Sequence, residues 1–244
     1  MCSIAAIGIN IVMSEAIVQS LCGVTLVGGG ELTPVFVTYS LTIAPCLVAA
    51  DGAADALQAL GLVPDAVIGD LDSISPAVRA ALPPDRLHLV AEQETTDFDK
   101  CLRHIQAPFI LAVGFTGARI DHALACFNAL TRHPDQRCLI LGPVDLCFLA
   151  PLSLELALPV GTRLSLFPLG PVQGRSQGLR WPIDGLKFAP DGVIGTSNET
   201  DAAAVSLAFS AQRMLVILPT PCLGAALAAL GVESSPGEPP RSTP

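Results

Sequence analysis

The stretch DAVIGDLDSI, residues 65–74, runs a short apolar segment into two carboxylates one residue apart. Ala66–Ile68 reads as a strand covered on both faces, because a continuous apolar run bounded by turn formers suits a buried strand. Asp70 and Asp72 follow directly. Residues two apart on an extended segment point the same way, and carboxylates so close repel unless a cation or a proton intervenes. Hard oxygen ligands suit Mg²⁺, which typically takes one or two protein carboxylates and completes its shell with substrate phosphates. A second reading stays open from these residues alone: Asp70 and Ser73 cap the next turn or helix.

The same grammar recurs on either side. Val24–Val27 is an expected strand that meets Gly28-Gly29-Gly30, and Cys46–Ala50 is another that ends at Asp51. Ala53–Leu60 has a helical pattern closed by Gly61 and Pro64. Leu87–Val90, Phe109–Val113 and Cys138–Leu141 supply three more strands. Apolar strands separated by helices predict a parallel sheet with both faces covered, a Rossmann-like three-layer α/β domain over residues 1–143. Beyond Pro143 the candidates are closely spaced: Leu146–Leu149, Leu152–Leu158, Arg163–Phe167, Ala204–Phe209 and Met214–Leu218. Their alternating character predicts a smaller antiparallel β-sandwich domain over 144–232, with Ser210–Arg213 as a hairpin turn. The tail 233–244, rich in Pro, Ser and Gly, is expected to be disordered.

Half of the 244 residues are apolar, 14% are charged, and the net charge is −9. That composition supports a large core and excludes a nucleic-acid surface, which needs a basic face. It equally disfavours an anionic membrane patch. An acidic protein that handles phosphates needs metal ions to screen its own carboxylates. Eight cysteines occur without a Cys-x-x-Cys pair, which points to reduced core thiols rather than disulfides or zinc ligands. The amino terminus lacks the basic opening of a secretory signal, and Glu15 interrupts its apolar run. Met214–Val232 carries no charge, but Pro219, Pro221 and Gly224 favour a strand, a turn and a short helix over a membrane span. The expected location is the cytoplasm.

In an open parallel sheet, ligands bind beyond the carboxyl ends of the strands. Asp51, Asp70 and Asp72 stand there. So do two further segments. In QETTDFDKCLRHI (93–105), Thr96 and Asp99 form a capping box, and Phe98, Cys101, Leu102 and Ile105 form an apolar stripe. Asp97, Lys100 and His104 share the other side, either as a solvated face with an ion pair or as a carboxylate and lysine turned to a phosphate site. In GFTGARIDHALACFNAL (114–130), Gly114 and Gly117 allow a sharp turn. Arg119 offers a forked donor for phosphate, and Asp121 and His122 open a helix. Gly28-Gly29-Gly30-Glu31 is not a dinucleotide fingerprint, since residue 33 is Thr, and no P-loop is present. Phosphatases that use the first Asp of Asp-x-Asp as nucleophile carry Thr or Val where this chain has Ile74.

Four of these stretches, in order, resemble the thiamine pyrophosphokinase family: Asp51-Gly52-Ala53, Gly69-Asp70-Leu71-Asp72-Ser73, Thr96-Asp97-Phe98-Asp99-Lys100, and Gly114 to His122. Residues 178–188, GLRWPIDGLKF, and 195–199, GTSNE, resemble segments of the family's thiamine-binding β domain. Two departures stand out: Ala53 replaces the second glycine of an Asp-Gly-Gly turn, and Gly195 replaces the first serine of Ser-Thr-Ser-Asn. The resemblance implies Mg²⁺-dependent transfer of diphosphate from ATP to the hydroxyl of thiamine, with AMP as co-product, by a homodimer whose thiamine site lies near the subunit junction. It implies a metal at Asp51, Asp70 and Asp72, and catalytic work by Asp70, Asp72, Asp97 and Lys100. ATP contacts fall to Asp51, Gly52, Ser73, Arg119, Asp121 and His122, and thiamine contacts to Gln93, Asp97, Trp181, Ser197 and Asn198. A flat indole suits stacking on a cationic heterocycle. The alternatives are another Mg²⁺-dependent phosphohydrolase or kinase on this scaffold, or a non-catalytic thiamine or nucleotide sensor.

Overall fold

The apolar run before the paired aspartates is a strand, Ala66–Gly69, buried at all four positions. In the computed structural model, which describes residues 16–117, 119–233, 237 and 240, it lies within a ten-stranded sheet. The first part of the chain supplies β1 (Val18–Gln19), β2 (Val24–Val27), α1 (Pro34–Ile43), β3 (Cys46–Ala50), α2 (Ala53–Ala59), β4 (Ala66–Gly69), α3 (Pro76–Ala81), β5 (Leu87–Leu89), α4 (Asp97–His104), β6 (Ile105–Gln106), β7 (Ile110–Val113), α5 (Ile120–Arg132) and β8 (Cys138–Leu141). The second supplies β9 (Asp145–Leu149), β10 (Ser153–Ala157), β11 (Arg163–Pro168), β12 (Val172–Gln177), β13 (Lys187–Phe188), β14 (Gly195–Glu199), β15 (Ala204–Phe209), β16 (Met214–Pro219) and α6 (Leu223–Ala229).

The large sheet has the order β5-β4-β3-β2-β7-β8-β9-β16-β11-β14. From β5 to β8 every pairing is parallel; from β8 onward every pairing is antiparallel. Alternation of side chains explains why the inner parallel strands β2, β4, β7 and β8 are buried at every position, while the edge strand β5 is partly exposed. Val27, Ala49, Val67, Leu111, Val113 and Leu139 join one apolar cluster with Phe36 and Val37 of α1 and Leu57 of α2. Leu26, Val48, Ile68, Ile110, Ala112 and Ile140 join another with Phe98, Cys101 and Leu102 of α4 and Cys126 and Leu130 of α5. Burying each large apolar side chain contributes about 1.5–3 kcal/mol. The stripe read from residues 98–105 is therefore the packed face of α4.

The sheet does not stop at Pro143. β9 turns back along β8, and β16, β11 and β14 extend the sheet. A separate four-stranded antiparallel sheet, β10-β15-β12-β13, contributes Leu154, Leu156, Leu207 and Phe209 to the first cluster, alongside Leu166 and Val216 of the large sheet. One continuous core thus crosses the change in character.

Several readings change. Ser210–Arg213 is not a hairpin turn, because β15 pairs with β10 and β12 while β16 pairs with β9 and β11. The chain there steps from one sheet to the other. Strands β12 and β14 escape a hydrophobic-pattern reading because VQGRSQ and GTSNE are mostly polar and lie partly exposed. Met214–Val232 is a strand, a 3₁₀ turn and a helix, as expected. Among the described residues no helix is long and apolar enough to cross a membrane, and the seven described cysteines are unpaired. The amino-terminal reading on residues 1–15, and nearly all of the tail reading, fall outside the described residues.

Candidate active site

Strands β3 and β4 run side by side in parallel register, with Ala50 opposite Ile68. Asp51 and Asp70, each the next residue after its strand, therefore leave the sheet at the same edge. The Asp51 amide donates to the Ile68 carbonyl at 3.0 Å. Asp51 has a φ of 43° and is 2% exposed. Gly69 makes the approach possible, since a Cβ there would sit 2.6 Å from that of Asp51.

The geometry of the Asp-x-Asp pair corrects the extended-strand argument. Leu71 has a φ of 60°, so the two aspartates flank a left-handed turn instead of lying on one face of a strand. The buried Leu71 side chain anchors that turn in the core, and the Asp72 amide donates to Asp70 Oδ1 at 3.5 Å. A left-handed non-glycine residue costs about 1–3 kcal/mol and persists where its surroundings enforce it. Two such residues are set here at one edge. Their effect is convergence: carboxylate oxygens of Asp51, Asp70 and Asp72 all lie within 4.8 Å of one another. Of the reading that Asp70 and Ser73 cap the next turn or helix, the helix half fails, because Ser75 caps α3, accepting from the Val78 amide, while Asp70 does cap the turn through the Asp72 amide. The Ser73 hydroxyl donates instead to Asp72 Oδ1 at 2.9 Å.

The electrostatics are asymmetric. Burial pushes the Asp51 carboxyl up, reinforced by the charge of Asp97 and, less, of Asp70; hydrogen bonds from Ser73 oppose it. Its Oδ2 accepts from the Ser73 amide, but its buried Oδ1 has no hydrogen-bond partner among the described residues. A buried carboxylate with one orphaned oxygen, grouped with two further carboxylates, is the environment a hard divalent cation satisfies. With no thiol or imidazole in the trio, the donor set fits Mg²⁺. For Asp70, burial works upward, but hydrogen bonds from Gln93 and Lys100 and the lysine charge outweigh it and hold the carboxyl low.

Helix α4 delivers that lysine. The Thr96 hydroxyl accepts from the Asp99 amide at 3.4 Å and caps the helix. Lys100 is then 2% exposed, with Nζ 3.3 Å from Asp70 Oδ2 and 3.0 Å from Asp97 Oδ1. Burial favours the neutral amine, but the bonds and charges of Asp97 and Asp70 prevail and raise its pKa. The solvated-face reading is thus overturned at Lys100. Gln93 Nε2 donates to Asp70 Oδ2 at 2.9 Å. Asp51, Asp70, Asp72, Ser73, Gln93, Asp97 and Lys100 form one connected group, and Gly52 lies against Ser73, whose Cβ would be 3.0 Å from a Cβ at 52.

The remaining predicted residues form two other groups. Arg119 and Asp121 make an exposed forked pair at 2.5 and 3.2 Å, beside the exposed His122. Trp181 is 52% exposed, with the Arg180 guanidinium 4.9 Å from its ring centroid. Asn198 is buried and clamps the Trp181 backbone from both sides, accepting from its amide at 3.2 Å and donating to its carbonyl at 2.7 Å. Ser197 has a φ of 60° and an exposed side chain. Both departures have a local reason. Ala53 is buried in the first core cluster, and a side chain at Gly195 would lie 3.1 Å from the Leu166 Cβ. The sequence reading missed Glu92 and Arg103 and gave Asp99 only a capping role; the three join the loop before α4 to the helix itself, and only the spacing of Asp99 and Arg103, one helical turn apart, hinted at this.

Fold and site together define a mixed α/β protein with an extended antiparallel part and a cluster of three carboxylates at one edge of its large sheet. Two family models match the chain: "Thiamin pyrophosphokinase, catalytic domain" over residues 38–141 and "Thiamin pyrophosphokinase, vitamin B1 binding domain" over residues 153–214. The chain belongs to the thiamin pyrophosphokinase family. It is 30% identical to Thiamine pyrophosphokinase 1 of Oryza sativa subsp. japonica over 174 residues, which cover 63% of this chain and 66% of that relative, just under two thirds of its length. Its fold is similar to the crystal structures of Thiamin pyrophosphokinase from Geobacillus thermodenitrificans (TM-score 0.67, 22% identity, 82% of this chain and 100% of that one) and of yeast Thiamin Pyrophosphokinase (TM-score 0.67, 17% identity, 90% and 96%).

Proposed function

We propose that this chain is a thiamine pyrophosphokinase, transferring a diphosphate group from ATP to the hydroxyl of thiamine and releasing AMP. The observation that carries the reading is the buried Asp51 carboxylate, one oxygen of it orphaned among the described residues, grouped with Asp70 and Asp72, in a chain matching both domains of the family. Asp51, Asp70 and Asp72 would hold Mg²⁺. When bound, Mg²⁺ supplies charge neutralisation for phosphate oxygens, the main requirement of a transfer governed by positioning and electrostatics.

The protein's own groups do the rest. Lys100 holds Asp70 and Asp97 in place and sets a fixed positive charge beside the phosphates. Gly52 and Ser73 shape the wall next to Asp51. Arg119 offers its fork to phosphate oxygens, with Asp121 and His122 beside it at the start of α5. Asp97, a third exposed, receives the proton of the attacking hydroxyl. Gln93 orients thiamine on the α/β side. Trp181, held by Asn198 and bordered by Ser197, stacks on the cationic heterocycle. In this reading residues 1–143 form a Rossmann-like three-layer ATP domain, 144–232 a β-sandwich thiamine domain and 233–244 a tail. The enzyme works in the cytoplasm as a homodimer with the thiamine site near the subunit junction.

Incubation with ATP, Mg²⁺ and thiamine, followed by mass detection, tests the reading. Thiamine diphosphate and AMP in equal amounts support it. ADP or free phosphate with unmodified thiamine would assign a different kinase or a hydrolase, and binding without any product would assign a sensor.

A further inference from the structure

Gln93 reaches Asp70 from a segment that is neither helix nor strand, residues 90–96. An exposed loop of this kind places a side chain reproducibly only if something fixes its backbone. Glu92 does this locally. Its Oε2 accepts from the amides of Glu94 (2.9 Å) and Thr95 (3.1 Å), and its Oε1 accepts from the Thr95 hydroxyl and from Arg103 Nη2. The Thr95 hydroxyl bond, the Glu94 amide and the Arg103 guanidinium together overcome the effect of burial and draw the Glu92 carboxyl down to about 2.

Arg103 joins this turn to the helix behind it. Its Nη2 also donates to Thr95 Oγ1 at 3.0 Å. Its Nε lies 3.5 Å from Oδ2 of Asp99, a carboxylate only 2% exposed. Asp99 in turn is anchored by the end of α5: Arg132 Nη1 at 3.2 Å and His133 Nε2 at 2.9 Å, both on Oδ1. Gln136, just beyond, donates to the Leu102 and Ile105 carbonyls at the end of α4. A guanidinium fork suits two carboxylates on different elements, whereas an ammonium serves as a point charge.

We propose that Arg103 is a positioning residue: by bridging Glu92 to the buried Asp99 it locks the 92–95 turn to helix α4 and so keeps Gln93 on Asp70, at the acceptor side of the site. The role rests on the proposed function for its substrate but not for its geometry. Arg103 touches none of Asp51, Asp70 and Asp72, and Lys100 still holds Asp70 without it.

Steady-state kinetics and hydrogen–deuterium exchange on the full chain test this together. In Arg103→Met the KM for thiamine rises about ten-fold, a change worth 1.4 kcal/mol, while kcat and the KM for ATP stay within about two-fold. Arg103→Lys recovers part of the loss. Glu92→Gln, which leaves the core untouched, reproduces the effect, and the double variant is no worse than Arg103→Met alone. Amides of residues 93–96 exchange faster in both single variants. Unchanged exchange there overturns the proposal whatever the activity, and so does a parallel rise in both KM values. A wild type with slow exchange at 93–96 that makes no AMP would instead overturn the functional reading and leave the clamp standing.

Discussion

The carboxylate edge and the tryptophan rim are built on opposite plans. At the edge, side chains are tied to one another: Lys100 to Asp70 and Asp97, Gln93 to Asp70, Ser73 to Asp72. Strain at Asp51 and Leu71 is locked in by the core. At the rim, the backbone of Trp181 is clamped by buried Asn198, while its ring stands half in solvent beneath the Arg180 guanidinium. Transfer of a phosphate group needs charges fixed before the substrate arrives. Recognition of a flat cation needs an open face. On the proposed function, the difference teaches that preorganisation is concentrated where charge develops, and that the rim is fixed at its base.

The comparison is broken most severely at Asp72. It is exposed and makes no core contact, so Asp72→Asn folds with an unchanged melting temperature, yet turnover falls on the order of 10²–10³-fold. Full turnover by the variant, measured as AMP release, removes Asp72 from the mechanism. Gly69→Ala is a subtler attack on the same edge. Its new Cβ would meet that of Asp51 at 2.6 Å, displacing a carboxylate without deleting it, and kcat/KM drops on the order of 10²-fold. An unaltered rate would mean that the position of Asp51 is immaterial.

The rim responds differently. Trp181→Ala raises the KM for thiamine about ten-fold, consistent with loss of a cation–π contact of about 0.5–2 kcal/mol, and leaves kcat and the melting temperature nearly unchanged. A fall in stability would instead make Trp181 a packing residue. The smallest effect concerns pH. Asp51 has its folded pKa raised above the ordinary 3.8, so its contribution to stability is complete below that value and is lost as pH rises through the folded pKa. A bound cation offsets that loss. Mg²⁺ therefore raises the melting temperature more at pH 7 than at pH 4, by on the order of 2–4 °C. Equal shifts at both pH values contradict this.

Much of this was legible in the chain itself, for physical reasons. Continuous apolar runs such as Val24–Val27 and Cys138–Leu141 can only be strands buried on both faces, and their alternation with helical patterns fixes parallel pairing. Asp51, Asp70 and Asp72 were legible because strand ends meet at one edge in such a sheet. The route by which they converge was not, since a left-handed Leu71 leaves no mark in composition. Burial of Lys100 was hidden because its partners lie 30 and 3 residues away, and a polar residue reads as exposed until its partners are known. The step between sheets at Ser210–Arg213 was hidden because a short polar link looks the same whether it joins paired strands or stacked ones. The Arg103 bridge was hidden because its meaning depends on Glu92, eleven residues upstream.

Manganese titration followed by electron paramagnetic resonance tests the central claim most directly, because Mn²⁺ takes the same oxygen ligands as Mg²⁺. The expected result is one ion bound per wild-type chain, with affinity lost in each of Asp51→Asn, Asp70→Asn and Asp72→Asn. Undiminished binding in all three variants would show that these carboxylates do not form a shared cation site.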